Sequence, residues 1–269
     1  MSANQAAAAA NHHWPGPPAE PREMRRAERV QARLRPRLSP RLETLEFEGE
    51  CLPGRAVGGD FYDFLQAAPG RLALILGDVS GHGVPAALMM AALQASLRAH
   101  YALSSAELGR RIESINRLFH DCTAAEHYAG LFVGEYDDDS CRLRYANCGH
   151  VAPLLVRAAA DVRWLESTGT ALGMFGTWNG AVEEVELAPG DTLVLVTDGI
   201  VEAADPALEE YGRLRLLSSV LSCRRLGPAA LIRAIGRDVR LACGKRPLDD
   251  ATIVAACVRR RARRAGGIE

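Results

Sequence analysis

The 269-residue sequence has no run of eighteen apolar residues, few aromatic side chains and no excess of either charge. Without such a run, no transmembrane helix is predicted and no membrane partner is expected. Its 32 basic residues balance 33 acidic ones, so the whole chain lacks the electrostatic signature of a nucleic-acid-binding protein. The length allows one large domain or two small ones, with enough residues to bury a core.

The seven cysteines are scattered and odd in number, and none stands in the paired spacing of a zinc site. This usage favours free thiols in a reducing cytosol over a disulfide framework. The alanine run at 6–10 has no basic leader, so it is not expected to act as a signal peptide. The sequence therefore predicts a cytoplasmic protein.

Two common hydrolase motifs are absent as well. The sequence contains neither the G-x-S-x-G motif of serine hydrolases nor the H-E-x-x-H motif of zinc proteases. Cys257 and Arg263 match the Cys-x5-Arg spacing of cysteine phosphatases. The residues between them, VRRRA, include no glycine that would let main-chain amides converge on a phosphate. We interpret that match as accidental.

Charge and proline divide the chain into four segments. Residues 1–21 are rich in Ala, Pro, Gly and His and are predicted to be a disordered tail. Residues 22–41 hold eight arginines against two glutamates and predict a basic amphipathic helix and linker. Residues 42–258 are predicted to form one compact α/β domain, and residues 259–269 a solvated basic tail.

The basic helix has one narrow apolar face and would end at a proline. The residues on that face are Met24, Ala27, Gln31 and Leu34, and Pro36 follows them. A solvated helix is one interpretation. The other is a helix that docks on the domain, on an activator or on a second copy of the chain as a homodimer.

Apolar periodicity predicts three long helices and eight short strands. The helices are expected at 84–101, 105–122 and 228–242. The strands are expected at 60–65, 71–77, 129–136, 141–147, 152–156, 182–187, 192–197 and 252–258. Turn signals at 67–70 and 137–140 join neighbouring strands as hairpins, which predicts antiparallel sheets rather than a doubly wound parallel sheet.

The stretch LGDVSGHGVPAAL, residues 76–88, places Asp78 where a buried strand ends and a helix begins. A cap for the following turn is one interpretation of that aspartate. If Leu65 pairs with Arg71, Asp60 faces Leu76 and lies diagonal to Asp78, at about 7–8 Å. Two carboxylates can bridge that distance through metal ions, which is the second interpretation.

The far end of the chain repeats the pattern. TLVLVTDG, residues 192–199, ends at Asp198, and DDATIVAACV, residues 249–258, begins with Asp249 and Asp250. If these strands are antiparallel, their acidic ends meet. Crowded carboxylates repel one another and take up protons unless cations compensate them. Ligation by oxygen alone selects Mg²⁺ or Mn²⁺ over zinc, and two such ions can activate water and clamp a phosphoryl group.

Five ordered motifs make the sequence resemble a known family. They are VGGDFYDF, GDVSGHGVPAALMM, YANCGHVAPLL, PGDTLVLVTDG and DDATIV. Their order and spacing are similar to those of the SpoIIE/RsbU branch of the metal-dependent PPM-type serine/threonine phosphatases. The resemblance covers about residues 30–258 and implies an α-β-β-α sandwich of two mainly antiparallel sheets, with a binuclear metal site at one end. It also implies that residues 42–258 are a PPM-type phosphatase domain.

The resemblance implies a ligand set for two Mn²⁺ or Mg²⁺ ions. Asp60 and Asp78 would hold one ion together with the main-chain carbonyl of Val79. The second ion would be held by Asp78, Asp198 and Asp249, with Asp78 bridging. The neighbouring Asp250 is an additional candidate ligand.

Four further residues with ionisable side chains lie in or near these motifs. Arg55 precedes Asp60 by five residues, the offset of a phosphate-binding arginine in eukaryotic relatives, although a solvated loop arginine is an equal interpretation. Asp63 points to the opposite face in the assumed register and is left out of the site. For His82 and His150, contact with substrate or water is one interpretation, and a structural role in a turn is the favoured one.

The resemblance further implies a protein serine/threonine phosphatase. Its expected partner is a phosphorylated STAS-domain anti-anti-sigma factor in a bacterial partner-switching pathway. The alternative is a catalytically silent phosphoprotein-binding module of the same fold. The complete set of metal carboxylates favours the enzyme, because a module without metal would gain by losing clustered negative charge.

Overall fold

The computed structural model describes residues 21–36, 40–52, 54, 56–124, 126–205, 207–243 and 250–261. The predictions made for residues 1–20, Arg55 and Asp249 lie outside these residues. Two five-stranded sheets face each other, and helices pack on their outer faces. The predicted α-β-β-α sandwich is therefore confirmed.

Ten strands and six α-helices are present in the described residues. The strands are β1 Leu45–Leu52, β2 Phe61–Ala68, β3 Arg71–Val79, β4 Ala129–Asp137, β5 Arg142–Cys148, β6 Leu154–Val156, β7 Val162–Trp164, β8 Glu183–Glu186, β9 Thr192–Val196 and β10 Ala251–Val258. The helices are α1 Pro21–Leu34, α2 Gly83–Leu103, α3 Leu108–Cys122, α4 Asp198–Val201, α5 Gly212–Cys223 and α6 Pro228–Cys243.

The two sheets are built from neighbouring hairpins. One has the strand order β1-β10-β9-β6-β7 and the other the order β2-β3-β4-β5-β8. Every pairing between these strands is antiparallel, as the hairpin pattern predicted. The ends of β9 and β10 that carry acidic residues therefore lie together.

β3 has no polar side chain from Leu72 to Gly77 because both of its faces are buried there. Leu72, Leu74 and Leu76 point between the sheets, where they join a core with Leu195 of β9. Ile75, on the opposite face, joins a second core with residues of α2 and α3. Alternate residues of a strand face opposite sides of its sheet, so a strand covered on both sides needs apolar residues at every position.

Four elements were not predicted: β1, β7, α4 and α5. In β1, which reads LEFEGECL, glutamate alternates with other residues, as expected for a strand with one polar side. Its acidic positions lie on the edge strand of the first sheet, where solvent reaches one side. β7 has only three residues, too few for a periodic signal.

The predicted basic helix forms as α1, and its predicted face is the face that it buries. Met24, Ala27, Gln31 and Leu34 are partly buried, whereas the other described side chains of α1 are exposed. Leu34 packs against the core beneath α2. The helix ends two residues before Pro36, which disfavours a helical conformation in the preceding residue.

The predicted pairing of Leu65 with Arg71 is wrong by two residues. Leu65 faces Ala73, and Tyr62, rather than Asp60, faces Leu76. The turn is shorter than expected: β2 continues to Ala68, and a bulge after Gln66 absorbs one extra residue. When the register is continued by one position beyond β2, Asp60 lies directly opposite Asp78 rather than diagonal to it.

Two further predictions from composition concern the cysteines and membrane-spanning helices. All seven cysteines are free thiols, as their irregular spacing predicted. Within the described parts of the chain, no helix has the length and apolar composition needed to cross a membrane.

Candidate metal centre

Aspartates from both sheets lie at the same end of the sandwich. Asp60 immediately precedes β2, and Asp78 is the penultimate residue of β3. In the other sheet, the backbone of Thr197 donates to the carbonyl of Thr252 at 3.1 Å, which continues the β9–β10 pairing toward Asp198. The two predicted groups of acidic strand ends are therefore both present at this end.

Two threonine hydroxyls connect Asp60 to the opposite sheet. Thr197 Oγ1 and Thr252 Oγ1 each donate to Asp60 Oδ2 at 2.7 Å. Thr197 Oγ1 also accepts a hydrogen bond from the backbone of Thr252 at 2.9 Å. These bonds fix the orientation of the Asp60 carboxylate and join the two sheets at their acidic end.

The Asp60 carboxylate lies in an unfavourable place for a negative charge. The residue is only 6% exposed. Burial raises the pKa of Asp60 well above its ordinary value, and the negative charge of Asp78 raises it further, whereas the two threonine hydroxyls act in the opposite direction. A bound divalent cation would compensate this charge, and the donors near Asp60 are oxygens, which suit Mg²⁺ or Mn²⁺.

Gly59 brings the predicted ligands together. A Cβ atom at this position would lie 2.4 Å from the carbonyl oxygen of Val79 and 3.3 Å from Asp78 Oδ1. Only glycine therefore lets the segment carrying Asp60 approach both oxygens. Asp60, Asp78 and the Val79 carbonyl therefore fit an oxygen-ligated cation.

Asp250 is enclosed by two other glycines. A Cβ at Gly58 would lie 1.3 Å from Asp250 Oδ2, and one at Gly199 would lie 1.8 Å from the Asp250 carbonyl oxygen. Asp250 Oδ1 accepts a hydrogen bond from the Gly54 backbone at 2.8 Å. These contacts favour a structural role for Asp250, which holds the loop before Asp60 against the start of β10.

The described residues do not complete the predicted two-ion site. Asp249 and Arg55 lie outside them. Among the side chains that the structure describes, no group of three or more His, Cys, Asp or Glu residues is arranged around a common metal position. The number of ions and the role of Asp249 therefore stay predictions.

Asp63 lies on the other face of β2, as predicted. It is buried and accepts hydrogen bonds from Arg98 Nε at 2.6 Å and Gln94 Nε2 at 3.0 Å. Both donors belong to α2, and both also donate to the carbonyl of Leu34. Asp63 therefore helps to hold the end of α1 against α2.

The two histidines differ in their surroundings. His150 is buried beside Gly130, which pairs with Asp78. Its Nδ1 donates to the carbonyl of Val151 at 3.0 Å, and burial lowers the pKa of His150 to about 4, so the ring is neutral at pH 7. His82 is exposed at the start of α2 and makes no side-chain capping bond there.

α1 contacts the loop of the candidate site directly. Gln31 Nε2 donates to the carbonyl of Gly58 at 2.7 Å, and the Gly58 backbone donates to Gln31 Oε1 at 3.2 Å. A cavity of about 300 Å³ lies between α1 and the aspartates, and both Asp60 and Asp250 line it. The sequence pattern predicted the buried face of α1 but not this pair of hydrogen bonds.

A family model described as Stage II sporulation protein E (SpoIIE) matches residues 68–259, which is well over half of the chain. The chain belongs to the SpoIIE family. Its predicted place in the SpoIIE/RsbU branch of the PPM-type phosphatases is confirmed.

Curated members of this branch are longer than the chain. Over 224 residues the chain is 29% identical to Protein IcfG of Synechocystis sp., a match that covers 74% of the chain and 35% of IcfG. Over 186 residues it is 27% identical to the phosphoserine phosphatase RsbU of Bacillus subtilis, covering 67% of the chain and 53% of RsbU. The chain thus spans about a third to a half of the length of these relatives.

Solved structures share the fold of this SpoIIE-family chain. The structure of the RsbU and RsbW domains of Rv1364c from Mycobacterium tuberculosis has a TM-score of 0.70 and 30% identity, covering 83% of this chain and 62% of that one. The catalytic domain of the phosphatase PstP, in complex with two manganese ions, has a TM-score of 0.57 and 16% identity, covering 81% of this chain and 99% of that one.

The threonine bonds to Asp60 lead to a first prediction. Thr197→Val and Thr252→Val each remove one donor to a buried carboxylate, which should lower the free energy of unfolding by about 1–3 kcal/mol. They should also weaken Mn²⁺ binding about tenfold or more, because the Asp60 side chain loses its orientation. Urea denaturation and calorimetric Mn²⁺ titration measure the two effects.

The matched controls are Thr197→Ser and Thr252→Ser, which keep the hydroxyl and should stay near the wild-type values. Valine variants that bind Mn²⁺ as tightly as the serine variants would contradict the orienting role of the hydroxyls.

Proposed function

We propose that this chain is a metal-dependent phosphatase that hydrolyses phosphoserine or phosphothreonine on a protein. The observation that carries the proposal is the buried Asp60 carboxylate, which faces Asp78 and is bound by hydroxyls from the opposite sheet. A buried, crowded pair of carboxylates at the ends of strands is costly without a cation. Membership of the SpoIIE family supports the same activity.

In this proposal Asp60, Asp78 and the Val79 carbonyl hold one Mn²⁺ or Mg²⁺ ion, and Asp78, Asp198 and Asp249 hold a second. Bound ions of this kind polarise phosphoryl oxygens and lower the pKa of bound water. The chain's own residues supply the positioning: Thr197 and Thr252 orient Asp60, and Gly59 lets its loop approach the Val79 carbonyl. The two manganese ions in PstP support the ion count.

Two residues stay additional predictions. Arg55 would bind the substrate phosphate through a bidentate guanidinium contact, which suits phosphate geometry. Asp250 stays a secondary candidate for metal ligation. It ranks below the other aspartates because one of its oxygens already accepts a hydrogen bond from the Gly54 backbone. A catalytically silent phosphoprotein-binding module is the alternative function, and hydrolysis of a simple phosphoester distinguishes it from the enzyme.

Asp78→Asn should be the most damaging single change, because Asp78 would contact both ions. We expect Mn²⁺-dependent hydrolysis of p-nitrophenyl phosphate to fall by at least about 100-fold, and a chelator to stop the wild-type reaction. The control is Asp161→Asn, an exposed aspartate in the turn between β6 and β7 at the opposite end of the sandwich, which should retain turnover.

Near-normal turnover of Asp78→Asn at saturating Mn²⁺ would refute the bridging assignment. Wild-type activity that survives exhaustive removal of metal would refute the metal dependence itself. Binding of phosphoproteins without hydrolysis of any phosphoester would favour the silent module.

The protein substrate is proposed to be a phosphorylated STAS-domain anti-anti-sigma factor in the cytoplasm. The similarity to RsbU, a phosphoserine phosphatase, supports a phosphoserine substrate. Deletion of the gene should raise phosphoserine on one small STAS-domain protein, measured by quantitative phosphoproteomics against the parent strain. Restoring the wild-type gene, but not Asp78→Asn, should reverse the rise. An unchanged STAS phosphoproteome would exclude this substrate class.

We also propose that residues 22–41 are a regulatory element that responds to an activator or to a second copy of the chain. α1 is bound to the Gly58 loop through Gln31, and its last carbonyl is bound to α2 through Arg98 and Gln94. Movement of α1 would therefore act on the segments that precede Asp60 and follow Asp78.

Gln31→Ala should change the Mn²⁺ concentration for half-maximal activity several-fold, as a coupling of about 1 kcal/mol allows. The matched control is Val30→Ala on the same helix, since Val30 is 62% exposed and should have no effect. Identical metal dependence and turnover in Gln31→Ala and the wild type would show that α1 is only a lead-in to the domain.

A further inference from the structure

Three exposed apolar side chains lie on segments that pair with the end of β3 that carries Asp78, either directly or through Ala129. They are Tyr128, Met174 and Phe175, each more than two-fifths exposed. Exposed apolar residues that occur singly are common, but a group beside a candidate active site indicates a contact surface. The mechanism proposed above uses none of the three.

Backbone pairing connects this group to Asp78. Tyr128 and Ser80 are joined by the Ser80 N–H bond to the Tyr128 carbonyl at 2.9 Å and by the Tyr128 N–H bond to Ser80 Oγ at 3.0 Å. The next residue, Ala129, pairs with Val79 on one side and with Leu172 on the other. Leu172 directly precedes the segment that carries Met174 and Phe175.

The segment with Phe175 is held in place by side chains of α3. The buried Asn116 of α3 donates to the Phe175 carbonyl at 2.9 Å and accepts from the Gly173 backbone at 3.0 Å. His120 Nδ1 lies 2.8 Å from the Gly173 carbonyl oxygen. The backbone is therefore fixed while the Phe175 ring is 55% exposed, so a ligand would meet a pre-organised apolar side chain.

Phe175 also borders an open cleft of about 640 Å³, a volume within the range of ligand pockets, roughly 300–1,000 Å³. Its other lining residues are small or polar: Ser167, Gly169, Thr170, Thr177 and Asn179. Hydroxyl and amide groups of this kind suit the backbone of an extended peptide, and the aromatic ring suits one of its side chains.

Strand spacing gives the distance from the cleft to the candidate metal centre. Leu172 lies two strand spacings from β3 through Ala129, and Gly169 lies three through Cys148 and Leu131. At about 4.8 Å for each spacing, the segment from Gly169, which lines the cleft, to Leu172 lies roughly 10–15 Å from β3. An extended chain advances about 3.3–3.6 Å per residue, so three to five residues span this distance.

We infer that the cleft binds the polypeptide next to the phosphorylated residue of the substrate, with an apolar side chain three to five residues away in contact with Phe175. The inference rests on the proposed phosphatase function and adds a sequence preference to it. The occupant is thus a phosphoprotein segment that carries a large apolar residue at a set distance from phosphoserine.

The test uses synthetic phosphoserine peptides of Ser, Gly and Lys in which one leucine is moved through positions −6 to +6. For each peptide, kcat/KM of Mn²⁺-dependent phosphate release is compared with that of the peptide without leucine. We expect leucine to raise the wild-type value about five- to tenfold at a position three to five residues from phosphoserine, on one side only, as partial burial of a leucine predicts.

Phe175→Ser should reduce the ratio of kcat/KM with leucine to kcat/KM without leucine to near one. Because both peptides are measured with the same variant, a general loss of activity does not change this ratio. Leu103→Ser is the matched control, since Leu103 is 87% exposed at the end of α2 remote from Asp78, and it should keep the wild-type ratio. A wild-type ratio near one at every position, or a Phe175→Ser ratio equal to that of Leu103→Ser, would overturn the inference.

Hydrolysis of p-nitrophenyl phosphate by the wild type separates the two proposals. If this ester is hydrolysed with Mn²⁺ but no leucine position is preferred, only the peptide cleft is refuted. If neither this ester nor any phosphopeptide is hydrolysed, the phosphatase function and the peptide cleft are both refuted.

Discussion

Negative charge at one end of the sandwich is the constraint on which the arrangement of the site depends. Asp60 is buried, faces Asp78 across the continued strand register and has its pKa raised by both effects. Thr197 and Thr252 bind its carboxylate without adding charge, so they stabilise its position but leave its charge uncompensated. A cation with oxygen ligands would compensate this charge with a large electrostatic gain.

Close backbone approach is the second requirement of this end of the fold. Gly58, Gly59 and Gly199 each stand where a Cβ atom would overlap with Asp250 or Val79. These glycines let the segment before β2, the start of α4 and the start of β10 converge on one small volume. The same segments carry the predicted ligands, which explains why glycine stands beside the aspartates in three of the sequence motifs.

The site is also connected to both sides of the molecule by hydrogen bonds. On one side, Gln31 of α1 bonds with Gly58, next to the loop that carries Asp60. On the other side, Ala129 joins Val79 of β3 to Leu172 and the segment with Phe175. α1 and the Phe175 segment therefore contact opposite flanks of one site, and the two proposals assign control to the first flank and substrate binding to the second.

Local patterns in the sequence determined the antiparallel strands, the buried face of α1, the position of Asp63 on the face of β2 opposite to Asp60, and the acidic strand ends. Each depends on periodicity or on neighbouring residues, and the five motifs identified the family in the same way. The tertiary structure decided the β2–β3 register, because a two-residue turn and a bulge after Gln66 offset the pairing by two positions. It also decided that Thr197 and Thr252 bind Asp60, across 137 and 192 residues of chain. Such contacts depend on how the two sheets are positioned against each other, and no local pattern carries that information.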